Sequence, residues 1–195
     1  PQDHFGEDVA ARYDESSASM FDDDVLGATV EVLAQLVGDG AALELAIGTG
    51  RVALALAARG VRVSGIELSP AMVGQLRAKD GAERVDVALG DMATTRVGGS
   101  FRLVYLVFNT IGNLTTQDQQ VACFANAAAH LEPGGLLIVE PELDLLGDDD
   151  VLLLVARVQP ACNRAEMTTR ADDHRCAQTS GFVSRDRSKR NPRSS

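Results

Sequence analysis

Short apolar runs alternate with segments of helical periodicity between residues 8 and 140 of this chain. The apolar runs predict strands at 42–47, 61–68, 85–89, 101–108 and, after a sharp turn at 133–135, at 136–139. Apolar side chains at helical spacing predict helices at 8–20, 25–37, 52–59, 70–79 and 117–131. Such alternation is typical of a mostly parallel sheet with helices on both faces. We therefore expect an α/β, doubly wound fold in which ligands bind beyond the carboxyl ends of the strands.

The first predicted strand ends in a glycine-rich turn, Gly48-Thr49-Gly50, and a helix follows at once. Glycine has no Cβ and adopts positive φ readily, so a ligand can approach such a turn closely. The first N–H groups of the following helix can bind an anionic or polar ligand. With Ala53, the two glycines also fit the loose dinucleotide-binding spacing, although an ordinary strand–helix turn would read the same way.

Residues able to bind a ligand stand at the ends of successive predicted strands. Glu67 closes the second strand, where a carboxylate can accept hydrogen bonds from a ribose diol. Asp91-Met92 follows the third strand, where a carboxylate can bind an exocyclic amine and a thioether can cover an adenine. Phe108-Asn109 ends the fourth strand, and Glu44 within the first can hold a cationic amine. Each is, taken singly, more often a turn or core residue, but their succession favours one shared site.

Several of these stretches resemble motifs of the class I S-adenosylmethionine-dependent methyltransferases. Residues 44–50 are similar to the glycine-rich first motif, and residues 67–72 resemble the second, whose acid binds the ribose. Residues 90–92 resemble the adenine-binding turn, and residues 131–135 resemble the motif that follows a later helix. Residues 11–14 resemble the N-terminal helix of small-molecule members, whose Tyr lies over the methionine end of the cofactor. The resemblance covers residues 8 to about 140.

The resemblance implies a Rossmann-like fold, S-adenosyl-L-methionine as cofactor and in-line transfer of its methyl group to a small-molecule acceptor. The cofactor-binding residues that it implies are Tyr13, Glu44, Ala46, Gly48, Gly50, Glu67, Leu68, Asp91, Met92, Phe108 and Asn109. No catalytic residue is assigned, because His4 and His130 have no motif behind them. No metal site is expected, because Cys123, Cys162 and Cys176 lie far apart and lack metal-binding spacing.

Two positions depart from the family pattern. Ala46 stands where many members have a glycine, and an alanine is tolerable there if its φ is negative. Asn109-Thr110-Ile111 is not the Asn-Pro-Pro-Tyr sequence of methyltransferases that act on nucleic-acid bases or glutamine. The stretch is more similar to the branch that methylates small molecules, including sugar amines.

The net charge and the hydropathy of the chain limit the classes of partner and the cellular compartment that we expect. The formal net charge is −10, which does not favour nucleic-acid binding. We find no apolar run long enough to cross a membrane. The acidic N-terminal residues are unlike a signal peptide, and the cysteine usage suits a reducing compartment, so we expect a cytoplasmic protein.

The chain divides into three predicted regions. Residues 1–40 form N-terminal helices that cover the cofactor site, residues 41–142 form the cofactor-binding core, and residues 143–195 form an atypical C-terminal segment. The composition of that segment predicts an incomplete or missing C-terminal antiparallel hairpin and a disordered end from about residue 180. Two alternatives remain open: an NAD(P)-dependent oxidoreductase, although no Tyr-x-x-x-Lys pair is recognisable, and a non-catalytic cofactor-binding relative with a truncated substrate side.

Overall fold

The computed structural model describes residues 6–16, 23–140, 152–158 and 177–184. The helices are α1 (Glu7–Ser16), α2 (Asp23–Val37), α3 (Arg51–Ala58), α4 (Pro70–Arg77) and α5 (Gln117–His130), with 3-10 turns at Ala82–Arg84 and Thr110–Asn113. The strands are β1 (Ala41–Leu45), β2 (Arg62–Glu67), β3 (Val85–Leu89), β4 (Phe101–Leu106), β5 (Leu131–Val139), β6 (Leu152–Val158) and β7 (Ala177–Ser184). The order confirms the predicted alternation of strands and helices.

The seven strands among the described residues form one sheet in the order β3-β2-β1-β4-β5-β6-β7. Strands β1 to β5 are parallel, and β1 pairs with β2 on one side and with β4 on the other. The strand order therefore reverses between β1 and β4. A crevice opens at such a reversal beyond the carboxyl ends of the strands, because the connections on its two sides run to opposite faces.

Two apolar clusters show that helices cover both faces of the parallel strands. One cluster joins Leu33 of α2 and Leu56 of α3 to the sheet. The other joins Cys123 and Ala127 of α5 to the sheet. Successive residues of β1 alternate between the clusters, as the two-residue period of a strand requires. The doubly wound, Rossmann-like fold is confirmed.

Local sequence signals set the beginnings of the helices near the site. Ser69 caps α4 by accepting a hydrogen bond from the N–H of Met72 at 3.4 Å, and Pro70 occupies the first turn. Thr116 and Gln119 form a reciprocal capping box at the start of α5. These caps fix where each connection leaves the edge of the sheet.

The sharp turn predicted at 133–135 is a bulge within β5 rather than a separate turn. The strand begins at Leu131, and its register with β4 shifts between Phe101 and Leu103. Gly134 takes a φ of 81°, and its carbonyl accepts a hydrogen bond of 3.1 Å from Arg102. The glycine permits the left-handed residue that the bulge needs, so the strand continues through it.

Two antiparallel strands complete the sheet and correct the expectation of an incomplete or missing C-terminal hairpin. Strand β6 pairs with β5 from Leu136↔Arg157 to Val139↔Leu154, and β7 pairs with β6. The sequence of β6 is an apolar run with high strand propensity, and the outer edge of β5 offers backbone partners to four of its residues. Residues 180–184 belong to β7, whereas the remainder of the predicted disordered end lies outside the described residues.

Candidate active site

The glycine loop after β1 is tied to the end of β2 by one carboxylate. Glu67 accepts a hydrogen bond of 2.7 Å from the N–H of Gly48 through Oε2, and one of 2.9 Å from the N–H of Ser69 through Oε1. The side chain of Glu67 is buried. A carboxylate has about four lone-pair positions, so both oxygens can accept further hydrogen bonds from ligand hydroxyls.

The two glycines of the loop have different environments. Gly48 has a φ of 58°, and a Cβ at this position would meet nothing within 4 Å. Gly50 has a φ of 78°, and a Cβ there would come within 2.6 Å of the Leu76 side chain in α4. Gly48 therefore presents bare backbone to open space, whereas Gly50 allows close packing of the loop against α4.

Ala46 occupies the left-handed region, with a φ of 54°. The condition under which an alanine suits this position, a negative φ, is thus not met. The residue lies just after β1, where the chain must turn sharply into the glycine loop. Because a Cβ in this conformation crowds the following carbonyl oxygen, Ala46 is a strained position at the site.

Glu44 is a buried acid within β1. It lies in register with Tyr105 of β4, whose hydroxyl donates a hydrogen bond of 2.9 Å to Glu44 Oε2. Burial and the nearby charge of Glu67 raise the pKa of Glu44 to about 8, against the opposing hydrogen bond from Tyr105. Burial and the carboxylate of Glu44 raise the pKa of Tyr105 well above its ordinary value. A nearby cation would favour the charged form of the Glu44 carboxyl. Glu44 therefore offers the crevice a partner for a cationic ligand group.

A cavity at the reversal of the strand order brings together five of the eleven predicted cofactor-binding residues. Its lining includes Tyr13, Glu44, Ala46, Gly48 and Phe108. The lining therefore comes from α1, from β1 with its loop and from the end of β4. Burial raises the pKa of Tyr13, so its hydroxyl stays protonated.

The end of β4 turns through two left-handed residues that the sequence did not reveal. Phe108 and Asn109 have φ values of 59° and 54°. Glu140, just after β5, accepts a hydrogen bond of 3.0 Å from the N–H of Phe108 and holds this turn. Burial raises the pKa of the Glu140 carboxyl, and the Phe108 N–H opposes that effect.

Asp14 anchors α1 over the glycine loop. It accepts a hydrogen bond of 2.6 Å from the Thr49 hydroxyl and pairs with Lys79 at 2.5 Å and with Arg51 at 3.4 Å. Partial burial would raise the pKa of Asp14, but the hydrogen bonds and positive charges around it lower the pKa below its ordinary value. Sequence reasoning missed Asp14, and its position directly after Tyr13 was the available signal.

The predicted adenine-side residues lie at the ends of β2 and β3. Leu68 is half-buried directly after Glu67, whose carbonyl accepts a hydrogen bond of 2.8 Å from the N–H of Gly90. Asp91 folds the next residues into a turn by accepting a hydrogen bond of 2.8 Å from Ala93, and Met92 is buried. The backbone contact at Gly90 brings this turn beside the ribose-side carboxylate.

Neither a metal centre nor a membrane span is found in the part of the chain that the structure describes. No group of three or more His, Cys, Asp or Glu side chains is placed to hold a metal ion there. No helix among those residues has the length and apolar character needed to cross a membrane.

The sheet and the cavity together define a doubly wound α/β domain with a crevice at the reversal of its strand order. Residues 42–135 match the family model described as a methyltransferase domain. The solved CcbJ methyltransferase from Streptomyces caelestis is similar over 68% of this chain and 60% of its own, at 33% identity and a TM-score of 0.55. The S-adenosylmethionine-bound structure of CalS10, an amino pentose methyltransferase from Micromonospora echinaspora, is similar at 27% identity over 70% of this chain and 63% of its own, with a TM-score of 0.53.

Curated relatives agree with this assignment. The dTDP-3-amino-3,4,6-trideoxy-alpha-D-glucopyranose N,N-dimethyltransferase of Streptomyces venezuelae is 34% identical over 51% of this chain and 41% of its own length. The dTDP-3-amino-3,6-dideoxy-alpha-D-glucopyranose N,N-dimethyltransferase of Streptomyces fradiae is 36% identical over 51% and 38%. The match thus spans about two fifths of these relatives. The family model, the curated relatives and the solved structures together support similarity to the class I S-adenosylmethionine-dependent methyltransferases.

Proposed function

We propose that this chain binds S-adenosylmethionine at the reversal of its strand order and transfers the methyl group to a small-molecule acceptor. The observation that carries the proposal is the bare backbone of Gly48, which faces open space and is tied to the buried carboxylate of Glu67. Such a loop fits a ligand that carries a ribose diol and passes close to the loop backbone. The methyltransferase family match favours this function over the oxidoreductase alternative.

The predicted residues divide naturally along the length of the cofactor. Glu67 would hold the ribose hydroxyls, and Asp91 with Met92 and Leu68 would hold the adenine. Tyr13, Glu44, Ala46, Gly48, Phe108 and Asn109 would surround the methionine end. Gly50 has a different part, because its missing side chain makes room for Leu76.

Glu44 suits the ammonium group of the methionine end. Its pKa of about 8 leaves the carboxyl mostly protonated at neutral pH. A cation close to it favours the charged form, so ligand binding would ionise Glu44 and release a proton. This coupling turns a buried acid into a specific partner for a cationic ligand.

The cofactor, when bound, supplies a methyl group that its sulfonium already makes electrophilic. The protein's part is alignment of the acceptor with the methyl–sulfur bond and exclusion of water, and such orientation supplies much of the rate. We assign no general base. An unprotonated acceptor nitrogen needs none for the attack.

We propose an amine-bearing small molecule as the acceptor. The relatives described above are N,N-dimethyltransferases of amino sugars by name, and CalS10 is named as an amino pentose methyltransferase. The acidic character of the chain favours a small or cationic acceptor over a nucleic acid. We also propose the cytoplasm as its setting, since the described cysteine, Cys123, is a free thiol.

Calorimetric titration with S-adenosylhomocysteine and, separately, with NADH tests the cofactor. We expect saturable binding of the first alone, and binding of NADH alone would overturn the proposal. Release of S-adenosylhomocysteine over a panel of amino sugars and their hydroxyl analogues then tests the acceptor. Turnover of the hydroxyl analogues alone would contradict the amine assignment, and binding without any turnover would favour the non-catalytic alternative.

A further inference from the structure

Two buried polar side chains on α5 are unexplained by the core that surrounds them. Asn126 and His130 are 1% and 2% exposed, although their helix packs against apolar strands. They stand one helical turn apart, so they lie on the same face of α5. Buried polar groups are costly unless they form hydrogen bonds, so their partners indicate their role.

Asn126 bonds to the backbone of the turn that follows β3. Its Nδ2 donates hydrogen bonds of 2.7 Å to the carbonyl of Met92 and 3.0 Å to the carbonyl of Thr95. Its Oδ1 is buried and has no hydrogen-bond partner in the described part of the chain. The amide is therefore held with its donor toward the turn even though its acceptor stays unpaired.

His130 bonds to the end of the same turn. Its Nε2 accepts a hydrogen bond of 3.0 Å from the N–H of Val97. Its Nδ1 lies 2.8 Å from the carbonyl of Asn126, which can only accept, so the ring is neutral and carries its proton on Nδ1. Arg96 reaches the same Asn126 carbonyl at 3.3 Å. Residues 92 to 97 are thus fixed at several points by one helix face.

This turn carries the residues proposed to hold the adenine. Asp91 starts it, with its Oδ1 bound to the N–H of Ala93 and its carbonyl bound to the N–H of Thr95 at 2.7 Å. Where Asp91 and Met92 point depends on this backbone, because Met92 lies in the fixed segment and Asp91 directly precedes it. A loop that reads a base edge must hold its groups within a fraction of an ångström.

We infer that Asn126 and His130 are positioning residues that fix the 91–97 turn and thereby set its selectivity for the base of the cofactor. The inference rests on the proposed function, because it assumes that the adenine lies at this turn. Neither residue touches the ligand in this role. Their effect passes through the carbonyls of Met92 and Thr95 and the N–H of Val97.

The test compares affinities for S-adenosylhomocysteine and S-inosylhomocysteine, which differ in the exocyclic amine and the N1 position of the base. Wild-type protein should prefer the adenosyl ligand. In Asn126→Ala the ratio of the two dissociation constants should fall toward one by roughly fivefold, as expected for the loss of neutral hydrogen bonds. An unchanged ratio in a folded Asn126→Ala variant would overturn the inference.

Cys123→Ala is the matched control, since Cys123 lies one turn earlier in the buried face of α5. Burial and the charge of Asp91 raise the pKa of its thiol to about 12, so the substitution removes packing but no charge. We expect this variant to lose stability and to keep the wild-type ratio. A ratio that falls equally in Cys123→Ala would show a general effect of loosening α5.

A second pair of variants keeps the test decisive if Asn126→Ala does not fold. Gln at position 130 can accept the Val97 hydrogen bond near the place of Nε2, whereas Leu cannot. His130→Gln should therefore keep the base preference, and His130→Leu should lose it. Failure of Asn126→Ala and His130→Leu to fold, with Cys123→Ala folded, would assign these bonds to the fold alone and overturn the inference. If wild type binds neither ligand, the proposed function fails; if it binds both equally, only the inference fails.

Discussion

The carboxylate of Glu67 accepts a hydrogen bond of 2.7 Å from the backbone N–H of Gly48, across 19 residues of sequence. The same side chain therefore shapes the loop and stands where the ribose is expected. A substitution at Glu67 removes both effects together, which makes this residue more sensitive than a ligand contact alone.

Replacing Glu67 should weaken cofactor binding strongly. Loss of hydrogen bonds to a charged group typically costs about 1.5–3 kcal/mol, so Glu67→Ala should reduce S-adenosylhomocysteine affinity roughly tenfold or more by calorimetry. Asp86→Ala is the control, because it removes an exposed carboxylate from neighbouring β3. Wild-type affinity in a folded Glu67→Ala variant would refute the ribose assignment.

Substitutions at the two loop glycines should separate binding from folding. Gly48→Val places a branched side chain in open space, so it should abolish S-adenosylhomocysteine binding while the protein stays folded, at a strain cost of about 1–2 kcal/mol. Gly50→Val adds a clash with Leu76 to the same strain, so it should lower the melting temperature much further. Normal binding by Gly48→Val would make the loop purely structural.

Relief of strain at Ala46 should stabilise the protein. Its left-handed conformation costs about 1–2 kcal/mol for an alanine, and part of the gain from glycine is lost to the greater freedom of the unfolded chain. Ala46→Gly should thus raise the free energy of unfolding by about 0.5–1 kcal/mol in urea titrations. Ala55→Gly, within α3, should lower it by about 0.5–1 kcal/mol. A loss of stability in Ala46→Gly would mean that the strain is absent.

The pKa of Glu44 predicts a pH dependence of stability. The folded value of about 8 exceeds the ordinary 4.5, so between these values the native state holds a proton that the unfolded state has lost. The contribution of Glu44 to stability is therefore complete below about pH 4.5 and falls as the pH rises to about 8. The slope approaches about 1.4 kcal/mol per pH unit for one proton. Parallel unfolding titrations of wild type and Glu44→Gln check this, and equal slopes in the two proteins would contradict it.

Ligand binding should report on the same proton. Calorimetry of S-adenosylhomocysteine binding near pH 7, in buffers with different ionisation enthalpies, should detect proton release in wild type and none in Glu44→Gln. An apparent enthalpy independent of the buffer in both proteins would show that Glu44 does not face the ammonium group.

Loss of the Asp14 contacts should lower the affinity for the cofactor more than it lowers the stability of the core. Asp14→Asn weakens the contacts of α1 with Lys79 and Arg51, so we expect a roughly two- to fivefold loss of S-adenosylhomocysteine affinity. Amide exchange in α1 should become faster at the same time. Asp8→Asn, an exposed position on the same helix, is the control and should change neither. Loss of affinity without faster exchange in α1 would point to a direct contact instead.

Local signals in the sequence were enough to predict the parallel core and the positions of Glu67, Gly48 and Asp91. Each of these follows from where a strand ends, which apolar runs and caps such as Ser69 reveal. The positive φ of Ala46 was not predictable, because propensity favours negative φ and only the surrounding fold imposes the exception. The bond from Phe108 to Glu140 was also hidden, since it joins the ends of two strands whose register the sequence does not state.

The prediction about the C-terminal hairpin was wrong for a related reason. The apolar run at 151–158 was visible, but its partner was not, because pairing depends on the open edge that β5 leaves in the assembled sheet. Asn126 and His130 carry no motif and look like ordinary helix residues. Their hydrogen bonds become visible only when α5 is placed over the turn after β3.

The reversal of strand order also divides the folding problem in two. Neighbouring strands within β1 to β3 and within β4 to β7 follow one another in the sequence, whereas the contact between Glu44 and Tyr105 joins β1 to β4 across a separation of 61 residues. Closing that longer segment carries the larger entropic cost. We therefore expect the pairing of β1 with β4, the β1–β4 seam, to form last and to open most easily. Glu44 and Phe108 line the cavity from opposite sides of that seam. A ligand bound there contacts both halves of the sheet. Its binding energy therefore also stabilises the pairing of β1 with β4, where we expect unfolding to begin.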